Sequence, residues 1–142
     1  MAESIRGSCL CGAVRFIIDA PVNELRACHC RNCQKASGAG GSVNAVVPRA
    51  SFRITQGSPK RYSARADSGR LLHRHFCGEC GSPIYSQRET TPETVVVRAG
   101  LFDDAGEMKI AAHIWTRSAR PWSYIDPLAT RHPGQPDAPP VK

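Results

Sequence analysis

Seven cysteines in three tight clusters constrain this chain more than any other feature of its 142 residues. The N-terminal residues lack the apolar stretch of an export signal, which predicts a cytoplasmic protein with reduced thiols. Clustered cysteines in that setting indicate metal ligands rather than disulfides, and their odd number agrees. The clusters are Cys9-Leu10-Cys11, Cys28-His29-Cys30-Arg31-Asn32-Cys33 and Cys77-Gly78-Glu79-Cys80.

The last cluster has the pattern of a zinc knuckle, in which glycine allows the sharp turn that brings two sulfurs to one metal. A knuckle supplies two ligands, and the first cluster would supply two more. Closing the loop of about 65 residues between them costs on the order of 4 kcal/mol plus a constant, whereas structural zinc binding is worth roughly 10–16 kcal/mol. The spacing therefore predicts a closed, structural zinc site formed by Cys9, Cys11, Cys77 and Cys80.

Cys28, Cys30 and Cys33 remain as a three-thiolate set for a second zinc ion. Spacing alone leaves two alternatives open: a fourth position that accepts a small ligand, or a closed site completed by a histidine. An iron–sulfur cluster and a set of redox thiols fit the spacing less well. The histidine candidates are His29, which lies between two ligands and is a poor choice, and His73, His75 and His113.

An open site with three anionic sulfurs suits some reactions better than others. The sulfurs weaken the pull of zinc on bound water, so hydrolysis is a poor use of it. Capture of a substrate thiol as the reactive thiolate fits better. A cytidine-deaminase site needs an H-x-E element and a proline before its second cysteine pair. Phe76 precedes Cys77 and no H-x-E occurs, which excludes that class.

Short strands account for most of the remaining sequence. Apolar and β-branched runs bounded by glycine, proline and polar residues predict antiparallel strands, including a hairpin of 51–55 with 60–64. One short helix is expected around 32–36, ended by Gly38. We expect one domain at 4–126 and a proline-rich, poorly structured tail at 127–142. The expected strands are 13–18, 42–47, 51–55, 60–64, 70–76, 84–87, 94–99 and 111–116.

The net charge of +7 comes mostly from arginines that are dispersed along the sequence. Such a pattern is typical of a solvated basic surface, and it also suits an anionic partner. Composition alone does not separate a carboxylate-bearing small molecule from nucleic acid as that partner; Arg31 is the arginine nearest in sequence to the second cysteine set. Nucleic acid is not expected, because aromatic residues do not alternate with the basic ones. No apolar run is long enough to cross a membrane.

Five motifs together resemble the glutathione-dependent formaldehyde-activating enzymes, a family that includes the domain of centromere protein V. The resemblance extends from about residue 4 to 126 and includes all seven cysteines. The motifs are Cys9-x-Cys11-Gly12-x-Val14-Arg15-Phe16, Cys28-His29-Cys30-x-x-Cys33-Gln34-Lys35-x-Ser37-Gly38, Phe76-Cys77-x-x-Cys80-Gly81-Ser82-Pro83, His113-Ile114-Trp115 and Arg120-Pro121-Trp122.

This resemblance implies a mainly β, Mss4-like fold whose antiparallel sheets are clamped by zinc, with two zinc ions per chain. The implied activity is that of a carbon–sulfur lyase of the S-(hydroxymethyl)glutathione synthase type. It would join a thiol such as glutathione to formaldehyde or another small aldehyde, or release them. The resemblance assigns the structural zinc to Cys9, Cys11, Cys77 and Cys80, and the catalytic zinc to Cys28, Cys30 and Cys33.

Two further expectations follow from the comparison of motifs. Ala39-Gly40-Gly41 stands where many family members have a bulky residue, which predicts a wider loop beside the second zinc. The acid that protonates the product would be bound water, with His29 and His113 as candidates whose packing role is the stronger expectation. The alternative function is a non-catalytic, zinc-stabilised binding module with a basic surface for nucleic acid or protein.

Overall fold

The computed structural model describes residues 4–66, 69–104 and 106–136. These residues form mainly β-structure, as predicted, and the helix α1 (Arg31–Ser37) ends at Gly38 in a left-handed conformation. None of the described helices has the length and apolar character needed to cross a membrane. The strands are β1 (Ile5–Ser8), β2 (Arg15–Ile18), β3 (Glu24–Cys28), β4 (Ser42–Pro48), β5 (Phe52–Gln56), β6 (Lys60–Arg65), β7 (Leu71–Phe76), β8 (Pro83–Arg88), β9 (Thr94–Arg98), β10 (Lys109–Ile114) and β11 (Thr130–Arg131).

Two sheets make up the fold. A small sheet has the order β1-β2-β5, and a large one has the order β11-β10-β3-β4-β9-β8-β7-β6. Most neighbouring strands are antiparallel, as expected, but β10 runs parallel to both β3 and β11. Strands β1, β3 and β11 were not predicted from the sequence, and β3 leads directly into the second cysteine cluster.

The core lies where the two sheets pack together. Phe16 and Ile18 of the small sheet and Ile84, Val95 and Val97 of the large sheet are almost completely buried in one apolar cluster. Along β9 the side chains alternate, because successive residues of a strand point to opposite faces. Val95 and Val97 therefore face the core, while the residues between and after them face the other side of the large sheet.

The predicted hairpin of 51–55 with 60–64 is wrong. Strand β5 pairs with β2 in the small sheet, whereas β6 pairs with β7 at the edge of the large one. The difference arises from burial: Phe52 of β5 is buried and its ring lies 5.5 Å from that of Phe16. Strand β6 is exposed along nearly its whole length, so it has no apolar face to add to the small sheet.

The expectation of a poorly structured tail does not hold for 127–136. Thr130–Arg131 pair with β10, and the backbone amides of Trp115 and Thr116 donate to the carbonyls of Gly134 and His132. The Arg117 amide also donates to the Pro133 carbonyl at 3.4 Å, because proline keeps its carbonyl as an acceptor. These hydrogen bonds give the segment a fixed course despite its prolines. Residues 137–142 lie outside the described residues.

Candidate metal centres and a basic cavity

The structure brings together the sulfurs of Cys9, Cys11, Cys77 and Cys80, all within 4.8 Å of one another. The Cys9 and Cys11 sulfurs are 3.7 Å apart, and those of Cys11 and Cys77 are 3.8 Å apart. Four sulfurs on a tetrahedral zinc ion are separated by about 3.8 Å, given a Zn–S bond of about 2.3 Å. The four-sulfur group therefore has the ligand type and spacing of a closed zinc site.

This four-sulfur group joins the two sheets. Its first two cysteines lie in the loop between β1 and β2, and the other two in the turn between β7 and β8. Backbone amides support the sulfurs: Val14 donates to Cys9 at 3.3 Å and Glu79 to Cys77 at 3.4 Å. The hydrogen bond with the Ser82 hydroxyl lowers the pKa of the Cys80 thiol to about 5. At Cys80 the surroundings thus favour the thiolate, which is the form that binds metal.

The second predicted group, Cys28, Cys30 and Cys33, also converges, with its sulfurs within 4.8 Å of one another. Cys28 ends β3, Cys30 is the N-cap of α1, and Cys33 lies in the first turn of the helix. The Cys33 amide donates to the Cys30 sulfur at 3.3 Å, so this side chain caps the helix. Hydrogen bonds from Cys28 and Cys30 hold the pKa of Cys33 well below its usual range.

Histidine does not complete this three-sulfur group in the part of the chain that the structure describes, which contains all five histidines. His29 and His113 instead bond to each other at 2.8 Å, and the Asp126 amide donates to His113 Nε2 at 3.1 Å. His73 bonds to the Ser63 hydroxyl, and His75 stacks on a tyrosine ring. The geometry favours the open alternative over a closed site with three cysteines and one histidine.

A cavity of about 760 Å³, including its open mouth, lies next to the three-sulfur group. Its wall contains all three cysteines and five arginines, and no aspartate or glutamate among the described residues. Trp115 and Gln135 also line it, joined by a hydrogen bond of 3.0 Å from the indole nitrogen to the amide oxygen. The arginines are Arg26, Arg70, Arg74, Arg88 and Arg98.

Strand order explains why arginines so distant in sequence share one cavity. Arg26 and Cys28 are two residues apart on β3 and so lie on the same face of the large sheet. Across the sheet, Arg26 pairs with Asn44, and Asn44 pairs with Arg98. Arg74 pairs with Ser86 on β8, two residues before Arg88 on the same face. The five cations therefore form one basic wall, which the sequence analysis had read as a dispersed charge.

Two expectations about residues near this site are wrong. Arg31 does not line the cavity; it is exposed and donates to the Gln34 side chain on its own helix. The loop at Gly40-Gly41 is not wide. A Cβ atom at Gly40 would lie 2.5 Å from the Ser123 hydroxyl, and one at Gly41 would clash with the Cys28 carbonyl. Glycine is needed at position 41 because the backbone of Cys28 passes so close.

Comparison with known proteins finds one family repeatedly. A family model described as "Glutathione-dependent formaldehyde-activating enzyme" matches residues 4–118. A Halomonas elongata protein, provisionally named as such an enzyme, is 28% identical over 127 residues, or 86% of this chain and 81% of that protein. A Podospora anserina protein with the same provisional name is 34% identical over 83 residues, or 57% of this chain and 38% of that protein.

A crystal structure of a Rhodobacter sphaeroides protein has the same fold. The two structures superpose with a TM-score of 0.56 at 23% sequence identity, over 72% of this chain and 96% of that one.

Proposed function

Because this chain belongs to the glutathione-dependent formaldehyde-activating enzyme family, we propose that it joins a thiol to a small aldehyde, and releases them in reverse, at Cys28, Cys30 and Cys33. The family description supplies the expected pair, glutathione and formaldehyde. The observation that carries the proposal is the three-sulfur group in the cavity wall, which has no fourth ligand among the described residues.

Both cysteine groups fit zinc by donor type and sulfur spacing. In this proposal Cys9, Cys11, Cys77 and Cys80 hold a structural ion, and Cys28, Cys30 and Cys33 hold a second one. Zinc bound by three cysteines would lower the pKa of a thiol that completes its coordination shell, so that the substrate sulfur is present as the thiolate.

The chain's own contribution is to bring that sulfur and the aldehyde together in the cavity. A lone pair of the sulfur forms the new C–S bond with the carbonyl carbon, and the π electrons of the C=O bond move to the oxygen. The oxygen takes one proton from water, which balances the proton lost by the thiol. His29 and His113 are only 5% and 1% exposed and do not line the cavity, so they are not placed to supply that proton.

The distribution of charge supports this proposal over a nucleic-acid-binding module. Nucleic-acid binding needs cations on an accessible face that can follow a phosphate backbone. Here five arginines line the concave wall beside the cysteines, a shape suited to a small anionic molecule.

Two measurements on the purified protein test the proposal. Metal analysis should find two zinc ions per chain, and one in Cys30→Ser, which keeps its fold. The rate of adduct formation from glutathione and formaldehyde, followed by exchange NMR, should exceed the spontaneous rate and return to it in the variant. A rate equal to the spontaneous one in the fully zinc-loaded protein, with several thiols and aldehydes, would contradict the proposal.

A further inference from the structure

The cavity concentrates the chain's buried cations. Six arginines are half-buried and the other nine are exposed, and five of the six half-buried ones line this single cavity. Removing guanidinium groups from water is unfavourable unless anions or hydrogen-bond acceptors replace the water. Such a concentration in one concave wall indicates that an anion binds there.

Two of these arginines show most directly that positive charge exceeds negative charge in the described wall of the cavity. The buried Nε of Arg74 has no hydrogen-bond partner, and Arg98 donates to the neutral Asn44 side chain at 2.5 Å. Neither arginine forms an ion pair with a carboxylate among the described residues. Burial lowers the pKa of Arg98; the negative charge of Cys33 opposes that shift, and the nearby positive charge of Arg74 adds to it. An anionic group between these two guanidinium groups would relieve their repulsion.

The cysteines do not neutralise this charge. Three thiolates with one divalent zinc ion would carry a net charge of −1, and a bound substrate thiolate would bring it to −2, against five guanidinium groups. The described wall also contains no carboxylate to pair with an ammonium group. A bound molecule that matches this wall supplies negative charge in addition to its sulfur and has no positive charge of its own.

We propose that this cavity selects thiols with two or more oxyanion groups and prefers those without an ammonium group, and that Arg74 and Arg98 determine this specificity by binding the oxyanions. Glutathione, which has two carboxylates and one ammonium group, would then bind less tightly than a purely anionic thiol of similar size. The inference rests on the proposed function, since it names the class of thiol that the same site takes. Guanidinium groups bind carboxylate and phosphate equally well through paired N–H donors, so the two chemistries are separated by experiment.

The experiment measures thiol binding by calorimetry to the protein as purified with its metal. 2-Mercaptoethanol and mercaptosuccinate differ in two carboxylates; pantetheine and 4′-phosphopantetheine differ in one phosphate. Cysteamine serves as the cationic thiol. The variants are Arg74→Gln and Arg98→Gln, with Arg74→Lys retaining the charge. Arg61→Gln is the matched control, because Arg61 is exposed on β6 and does not line the cavity.

We expect mercaptosuccinate to bind at least tenfold more tightly than 2-mercaptoethanol, and cysteamine to bind most weakly. Arg74→Gln and Arg98→Gln should each lower that preference about tenfold, the usual worth of a charged hydrogen bond, with a smaller change in 2-mercaptoethanol binding. Arg74→Lys should restore part of it, and Arg61→Gln should change nothing. Comparing each thiol between variants cancels the differences in thiol pKa. A phosphate-specific site would show the preference only with the pantetheine pair.

Other results separate the failure of this inference from the failure of the proposed function. If charged and neutral thiols bind equally, or if Arg61→Gln acts like Arg74→Gln, the inference is wrong while thiol capture stands. If no thiol binds, the proposed function is wrong, and titration with succinate and inorganic phosphate then decides the inference. Binding of either anion that is lost in Arg74→Gln would support an anion site, and no binding of either would overturn it.

Discussion

The two cysteine groups consist of the same type of ligand, but they differ in how they are built into the fold. Cys9 and Cys77 are 3% and 1% exposed and belong to the main apolar core, and the group joins loops from both sheets. Cys28, Cys30 and Cys33 come from one segment of six residues and face a cavity on the other side of the large sheet.

In the proposed function, sequence separation and not ligand type alone distinguishes the structural cysteine group from the catalytic one. A metal that links positions 66 residues apart removes much of the freedom of the unfolded chain. A metal bound within six residues closes almost no loop, so the fold must position those ligands by other means. Those means are the end of β3 and the first turn of α1.

The largest expected effect is the difference between Cys77→Ser and Cys30→Ser. Cys77→Ser should lower the free energy of unfolding by about 5 kcal/mol or more, because structural zinc binding is worth roughly 10–16 kcal/mol. Cys30→Ser should cost less than about 2 kcal/mol, because serine can cap the helix in place of cysteine and the lost metal closes almost no loop. Urea unfolding with metal analysis of each variant checks both values. Equal destabilisation by the two substitutions would contradict this difference and indicate that both sites are structural.

A smaller effect is expected from Gly41→Ala, which tests how the fold positions Cys28. A Cβ atom at Gly41 would collide with the Cys28 carbonyl, whereas one at Gly100 would meet nothing within 4 Å. Gly41→Ala should cost about 1–3 kcal/mol, as overpacking does, and weaken metal binding at the three-sulfur group. Gly100→Ala should do neither. Competition with a chromophoric chelator measures the affinity; unchanged affinity in Gly41→Ala would show that β4 does not hold this ligand in place.

The three-sulfur group and α1 were predictable because their determinants are local, and the four-sulfur group was predictable because each of its cysteine pairs supplies two ligands and needs the other pair to complete a tetrahedral site. Cysteine pairs with short spacings and neighbouring glycines limit where the sulfurs can lie, and Gly38 ends the helix in the left-handed conformation that suits glycine. The absence of a histidine ligand was not predictable. It depends on His29 and His113 pairing with each other across 84 residues.

The basic wall could not be predicted because it depends on strand order. Alternation along β9 separates Val97 from Arg98, which any strand pattern shows. Arg98 and Arg74 line the same cavity because the strands follow the order β9-β8-β7. That order is set by pairings between segments that are distant in sequence. The same reason explains why the predicted hairpin was wrong: the turn residues at 56–59 do not reveal that β5 and β6 belong to different sheets.

The basic wall also predicts a modest gain in stability when one of its cations is removed. Arg74→Leu should raise the free energy of unfolding by about 1 kcal/mol, because it removes a half-buried charge that lies near Arg98 without a carboxylate partner among the described residues. Thermal and urea unfolding measure the change, with the exposed Arg61→Leu as control. A loss of stability would show that Arg74 is part of the structural framework and weaken the contrast between the two regions.

The smallest expected effect concerns the turn of the four-sulfur group. Gly81 has a φ of 80°, yet a Cβ atom there would meet nothing within 4 Å. Gly81→Ala therefore adds backbone strain without a collision and should cost about 1 kcal/mol. Gly81→Asn should cost less, because asparagine tolerates this conformation better.

Both variants should keep two metal ions per chain, because a strain of this size is small beside the roughly 10–16 kcal/mol of structural zinc binding. Metal analysis would be combined with the urea midpoint of unfolding. Loss of metal from Gly81→Ala would mean that metal binding contributes little to the conformation of this turn. The four-sulfur group would then be the weaker of the two sites.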